Sequence, residues 1–258
     1  MTESDRPLRV ALVQHGASLE PADNRAAVAA LTPDDTDLVV FPEAFQRDFG
    51  EPGADLAPYA EASDGPFAAA VAKAAAAHGT TVVAGMFEAS DDPARPWNTL
   101  VVRGGVDATY RKVHLYDSFG YRESDRVRAG DPTAAVIEIG GFQVGLMTCY
   151  DLRFPEMSRL LVDAGAEVLV VPAAWVAGER KADHWRTLAR ARAIENTAYV
   201  VAVGQPAGRY TGFSLVVDPL GDVLAEAGPE PTVLRAELTR AGLEQARRTN
   251  PSLVNRRL

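Results

Sequence analysis

Phe142-Gln-Val-Gly-Leu-Met-Thr-Cys149-Tyr-Asp-Leu-Arg-Phe-Pro-Glu156 runs from an apolar stretch through a thiol to the start of a helix. Cys149 is the one cysteine among 258 residues, so it forms no disulfide within the chain. A strand over Gly141 to Met147 ends at a sheet edge, where the next turn can aim a side chain into a cleft with backbone N–H groups beside it. A helix starting near Phe154 adds the positive end of its dipole. Both effects favour the thiolate, the nucleophilic form. A small buried hydrophobe is the other reading of a lone cysteine, and the surrounding residues must decide between them.

Outward from that segment, strand-like and helical runs alternate. Leu8–Gln14 reads as a strand, Ala22–Leu31 as a helix, and Leu38–Phe41 as a buried strand that Pro42 ends. Phe67–His78 is a helix closed by Gly79; Thr81–Phe87, Thr99–Arg103 and Asp107–Arg111 are strands, the last two a hairpin across Gly104 and Gly105. Ala135–Ile139 and Phe142–Met147 form a second hairpin, and Pro155–Ala164 is a helix leading to the strand Val168–Val171, stopped by Pro172. His184–Asn196 reads as helix, Tyr199–Gly204 and Phe213–Val217 as strands, Pro219–Asp222 as a turn, and Thr232–Glu237 as a last strand before a polar helix.

About a dozen strands and at least five helices, with no shift of composition along the chain, predict one domain over 1–258, with a tail from about residue 239. Strands this apolar need cover on both faces, and two mixed sheets packed together with helices outside provide it. Gly50–Pro66 and Lys112–Pro132 are the longest stretches without regular pattern, a length that points to functional loops.

A net charge of −9 with pI near 5.0 gives no footprint for nucleic acid. The basic run Arg180–Arg192 sits among acids on a helix and reads as a solvated face. No run approaches the ~18 apolar residues a membrane span requires, and Met1–Pro7 lacks the pattern of a signal peptide, so a cytoplasmic protein is expected.

Three strand ends carry chemistry. Phe41-Pro42-Glu43 puts a carboxylate after one strand, Tyr110-Arg111-Lys112-Val-His114 an ammonium after another, and Cys149 follows a third. Glu43 is suited to take the thiol proton and later to activate water, and Lys112, with the N–H of Tyr150, to hold an oxyanion. Each residue alone is as readily a loop acid, a surface lysine or a core thiol; together they make a nucleophilic site. A redox thiol has no second cysteine to resolve it.

These three motifs, in this order, resemble the nitrilase superfamily of carbon–nitrogen hydrolases, in the amidase branch that includes ω-amidase and deaminated-glutathione amidase. The resemblance runs from Val10 to Gly221 and implies an α/β fold, a four-layer α-β-β-α sandwich of two mixed sheets with outer helices. It implies Glu43 as base, Lys112 as oxyanion partner and Cys149 as nucleophile, on a small amide as substrate. It implies no metal or organic cofactor, and a homodimer or higher homo-oligomer. Glu123 resembles a second glutamate that orients the lysine, Arg153 an arginine that grips a substrate carboxylate unless it pairs with Glu156, and Trp175 a pocket wall. The residues after Cys149 are not Trp-Glu, which argues against nitrile hydrolysis. An N-carbamoyl hydrolase and a catalytically silent binding member are the alternatives.

Overall fold

The computed structural model describes residues 6–118 and 120–257; of the start considered for a signal peptide, Met1–Pro7, the first five residues lie outside them. In chain order the elements are β1 (Leu8–Gln14), α1 (Pro21–Leu31), β2 (Leu38–Val40), α2 (Pro66–His78), β3 (Thr81–Glu88), β4 (Trp97–Arg103) and β5 (Ala108–Arg111). A two-residue pair, β6 (Asp117–Ser118) and β7 (Tyr121–Arg122), precedes β8 (Val136–Ile139), β9 (Phe142–Leu146), α3 (Pro155–Asp163), β10 (Val168–Ala173) and α4 (Lys181–Asn196). The chain closes with β11 (Tyr199–Gly204), β12 (Leu215–Val217), β13 (Val223–Glu226), β14 (Thr232–Leu238), α5 (Arg240–Thr249) and α6 (Ser252–Asn255).

Two six-stranded sheets result, ordered β14-β1-β2-β3-β4-β5 and β13-β12-β11-β10-β9-β8. Each has three parallel strands at its centre, β1-β2-β3 and β9-β10-β11, flanked by antiparallel pairs, so both are mixed. Strand parity assigns the faces. In the first sheet Val10, Leu12, Leu38, Val40, Val83 and Leu100 join the core shared with the second sheet. Their neighbours Ala11, Val13, Val39, Val82, Ala84 and Val101 meet Val28 of α1 and Phe67, Val71 and Ala75 of α2. On the far side α4 buries Trp185, Ala189 and Ala193 against the second sheet. These are the layers of an α-β-β-α sandwich. Among the described residues no helix is long and apolar enough to cross a membrane.

Three readings of the sequence are corrected. Pro172 does not stop β10; it pairs with Val203 of β11, and the strand continues to Ala173. The Val170 carbonyl accepts from Met147 on the β9 side, so Pro172, two residues on, faces the same side beyond the end of the β9 ladder, where its missing N–H costs nothing. Three strands were also missed: the short pair β6 and β7 inside Lys112–Pro132, and β13, which extends the edge after the Pro219–Asp222 turn and whose Val-Leu-Ala-Glu has no buried face to betray it. Arg192, placed on the solvated basic face, is instead buried, and its Nε donates to the Leu152 carbonyl at 3.0 Å.

Candidate active site

Because β2 is central and parallel, β5 runs in the same sense as β3, and β9 and β10 run parallel to each other, the strands deliver their C-terminal ends in sets. Glu43 follows β2, Lys112 follows β5, Cys149 follows β9, and Ala174 and Trp175 follow β10. All five residues line one cavity of about 710 Å³.

At its base the Lys112 ammonium donates to Glu43 Oε1 at 2.8 Å and to Glu123 Oε1 and Oε2 at 3.1 and 2.9 Å. Glu43, Lys112, Glu123 and Cys149 are 1%, 2%, 2% and 8% exposed. Burying one ammonium between two carboxylates is tolerable only with the remaining lone pairs satisfied, and they are. Asn98 Nδ2 bridges Glu43 Oε1 at 2.7 Å and Glu123 Oε1 at 3.3 Å, the Ala174 N–H donates to Glu43 Oε2 at 2.6 Å, and the Tyr116 N–H to Glu123 Oε2 at 2.7 Å. Gln205 Nε2 fixes the Glu43 carbonyl at 3.1 Å.

The turn carrying Glu43 lies flat against β3. A β-carbon on Gly85 would stand 2.4 Å from the Ala44 nitrogen and 2.7 Å from the Glu43 Cα, so only glycine permits the approach.

Cys149 opens a 3-10 turn, Cys149–Arg153, with φ of 47°. A left-handed residue bearing a β-carbon costs about 1–3 kcal/mol and persists only where its surroundings impose it. Asp151, wholly buried, accepts the Thr148 N–H at 2.8 Å and the Tyr110 hydroxyl at 2.6 Å on Oδ2; Oδ1 accepts the His114 N–H at 3.0 Å and His114 Nδ1 at 2.7 Å.

Electrostatics reverse the expectation of a preformed thiolate. Burial first, then the Glu43 carboxylate, push the Cys149 thiol well above its ordinary 9.0, against a downward pull from Lys112. The resting sulfur is therefore a thiol, with the Glu43 carboxylate as its hydrogen-bond partner. Burial alone would lower the Lys112 ammonium, but Glu123 and Glu43 outweigh it and raise the group well above 10.5.

The remaining predicted residues line the same cavity. Tyr150 stands edge-on to Tyr116 and Phe154, with ring centroids 5.0 and 5.3 Å apart. Trp175 donates its Nε1–H to the Lys181 carbonyl at 2.9 Å. Arg153 lies 4.9 Å from the Trp175 ring and 3.5 Å from His184 Nδ1, which is where its guanidinium goes instead of to Glu156. Lys181 and Arg209 bring further positive charge to the rim, Arg209 paired with Asp48 at 3.2 Å. Asn98, Gln205 and Asp151 escaped the sequence reading. Asn98 lies just before the strand read over Thr99–Arg103, and only Asp151 stood within a quoted motif.

The family described as carbon–nitrogen hydrolase matches residues 9–248. A deaminated glutathione amidase of Escherichia coli O157:H7 is 47% identical over 167 residues, covering 64% of this chain and 64% of that one. Hydrolase Rv0480c of Mycobacterium tuberculosis is 39% identical over 255 residues, covering 90% of this chain and 89% of the relative. Among solved structures, XC1258 from Xanthomonas campestris, a CN-hydrolase superfamily protein with an arsenic adduct in the active site, superposes with a TM-score of 0.87 at 29% identity, covering 98% of both chains.

Proposed function

The chain belongs to the carbon–nitrogen hydrolase family, and from that premise we propose that it hydrolyses the C–N bond of a small linear amide through a thioester on Cys149. The observation that carries this reading is the convergence of Glu43 and Glu123 on the Lys112 ammonium beside the sulfur, at the floor of a cavity.

Glu43 takes the Cys149 proton as sulfur attacks the carbonyl carbon, so no standing thiolate is required. Lys112 and the Tyr150 N–H stabilise the oxyanion of the tetrahedral intermediate, and Glu123 holds the ammonium in place. Collapse breaks the C–N bond; Glu43 hands its proton to the departing nitrogen, and ammonia or an amine leaves. Water then attacks the thioester while Glu43 accepts its proton. The second intermediate expels the sulfur, which is reprotonated, and the carboxylic acid departs.

Arg153, stacked near Trp175, and the cations Lys181 and Arg209 at the rim favour a substrate bearing a carboxylate. A short dicarboxylate monoamide or a deaminated peptide-like amide fits, as the kinship with a deaminated glutathione amidase also suggests. The same reading takes the protein as a cytoplasmic homodimer.

The test is ammonia release over a panel of such amides, with intact-mass detection of a covalent acyl adduct. Wild-type protein is expected to release ammonia and show the adduct; Cys149→Ala to do neither while keeping its circular dichroism spectrum. An active Cys149→Ala variant would refute the mechanism, and stoichiometric CO₂ alongside ammonia would redirect it to a carbamoyl substrate.

A further inference from the structure

Asp151 divides its two oxygens between the two halves of the site. Oδ2 holds the N–H of Thr148, the residue before Cys149, and so braces the turn whose left-handed backbone presents the sulfur. Oδ1 holds the N–H and Nδ1 of His114, and the Tyr110 hydroxyl returns to Oδ2. Tyr110 and His114 lie two residues either side of Lys112. One buried carboxylate therefore ties the segment carrying the thiol to the segment carrying the ammonium. It does not face the cavity itself.

The chemistry of its partners makes a carboxylate necessary. Thr148 and His114 each offer a backbone N–H, which cannot turn round and accept. An amide of the same shape has one oxygen and one NH₂. Placed either way, its NH₂ would oppose one of these two backbone donors, releasing either the Cys149 turn or the Lys112 segment.

We propose that Asp151 is a positioning residue for amide hydrolysis by this chain, fixing the Cys149 sulfur relative to the Lys112 ammonium without touching substrate. The proposal rests on the reading of Cys149 as nucleophile and Lys112 as oxyanion partner. A displacement of about 1 Å in such a pair costs on the order of 100-fold in rate. Substrate binding, made by the cavity walls, should hardly change.

The experiment compares Asp151→Asn, Tyr110→Phe and Cys149→Ala with wild type, using a four- or five-carbon dicarboxylate monoamide as probe and scoring kcat, KM and the single-turnover acylation rate per folded molecule. Asp151→Asn is expected to lose about 100-fold in kcat and in acylation, with KM within about threefold. Tyr110→Phe, which removes one of the four bonds and leaves both backbone contacts, should lose several-fold in the same direction. A purely structural role would lower the melting temperature and the folded fraction but leave kcat per folded molecule alone. Folded Asp151→Asn with kcat within threefold of wild type overturns the proposal. Should Asp151→Asn fail to fold, unchanged acylation in both Tyr110→Phe and His114→Gln overturns it instead. Turnover by Cys149→Ala would fault the nucleophile; an inactive Cys149→Ala beside a fully active Asp151→Asn faults only the role of Asp151.

Discussion

Lys112 Nζ stands 2.8 Å from Glu43 Oε1, and neither side chain has appreciable contact with solvent. The ammonium is shared with Glu123, so one cation neutralises part of the charge of two buried carboxylates.

Replacing Lys112 by Met is therefore expected to do more than abolish turnover. It strands Glu43 and Glu123 without a counter-ion, and removing one partner from a buried ion pair typically costs about 3–5 kcal/mol. Urea unfolding should show a loss of that size. Adding Glu123→Gln to the same variant should restore part of the stability and none of the activity.

Glu43→Gln should separate nucleophilicity from turnover. The Glu43 carboxylate helps hold the Cys149 proton on, whereas Lys112 pulls it off. Without the carboxylate the thiol ionises more readily, and alkylation by iodoacetamide near pH 8 should speed up by roughly tenfold for each pH unit its pKa falls. Amide turnover should drop about 10²–10⁴-fold for want of a general base. Slower alkylation would contradict the charge balance described here.

Alkaline pH should unfold the protein early. Cys149, Lys112, Tyr110 and Tyr210 all hold their protons more tightly when folded, Tyr110 and Tyr210 because burial and then a neighbouring carboxylate disfavour the phenolate. Above the ordinary Cys value of 9.0 the unfolded chain begins to release protons that the native state keeps, so stability falls as pH rises. Each such group contributes up to about 1.4 kcal/mol per pH unit until its own folded pKa is reached. Below pH 8 these groups add no slope. Melting temperature measured from pH 7 to 11 checks this, and Cys149→Ala should soften the onset.

Gly85→Ala tests the seating of Glu43. The added methyl meets the Glu43 backbone at 2.7 Å, and overpacking of this kind costs about 1–3 kcal/mol. The displaced carboxylate should lower kcat by on the order of 100-fold. Wild-type kcat in this variant would mean that the turn tolerates more movement than its packing suggests.

The elements that hold Glu43, Lys112 and Cys149 were legible because Glu43 and Cys149 follow apolar runs and Lys112 follows the second strand of a Gly-Gly hairpin, and strand ends are where side chains reach a sheet edge. What joins them was not. Asn98 reaches Glu43 across 55 positions and Ala174 reaches it across 131, pairings fixed by strand order and sheet packing, which local pattern does not encode. The thiolate expectation failed for a related reason. A dipole argument can be made from adjacent residues, but what keeps the proton on the sulfur is burial first and then the Glu43 carboxylate, more than a hundred residues away, and both arrive only with the tertiary fold. Pro172 misled because a proline inside a strand is harmless when the neighbouring ladder has already ended, and that depends on the length of β9.

The delivery of acid, amine and sulfur by separate strand termini has a practical corollary. Cutting the polypeptide between Lys112 and Cys149 leaves Glu43 and Lys112 on one piece and the sulfur on the other, so neither piece alone holds all three. In refolding or split-chain complementation, product formation would thus count reassembled molecules alone, remaining silent toward collapsed species that have secondary structure but mispaired layers.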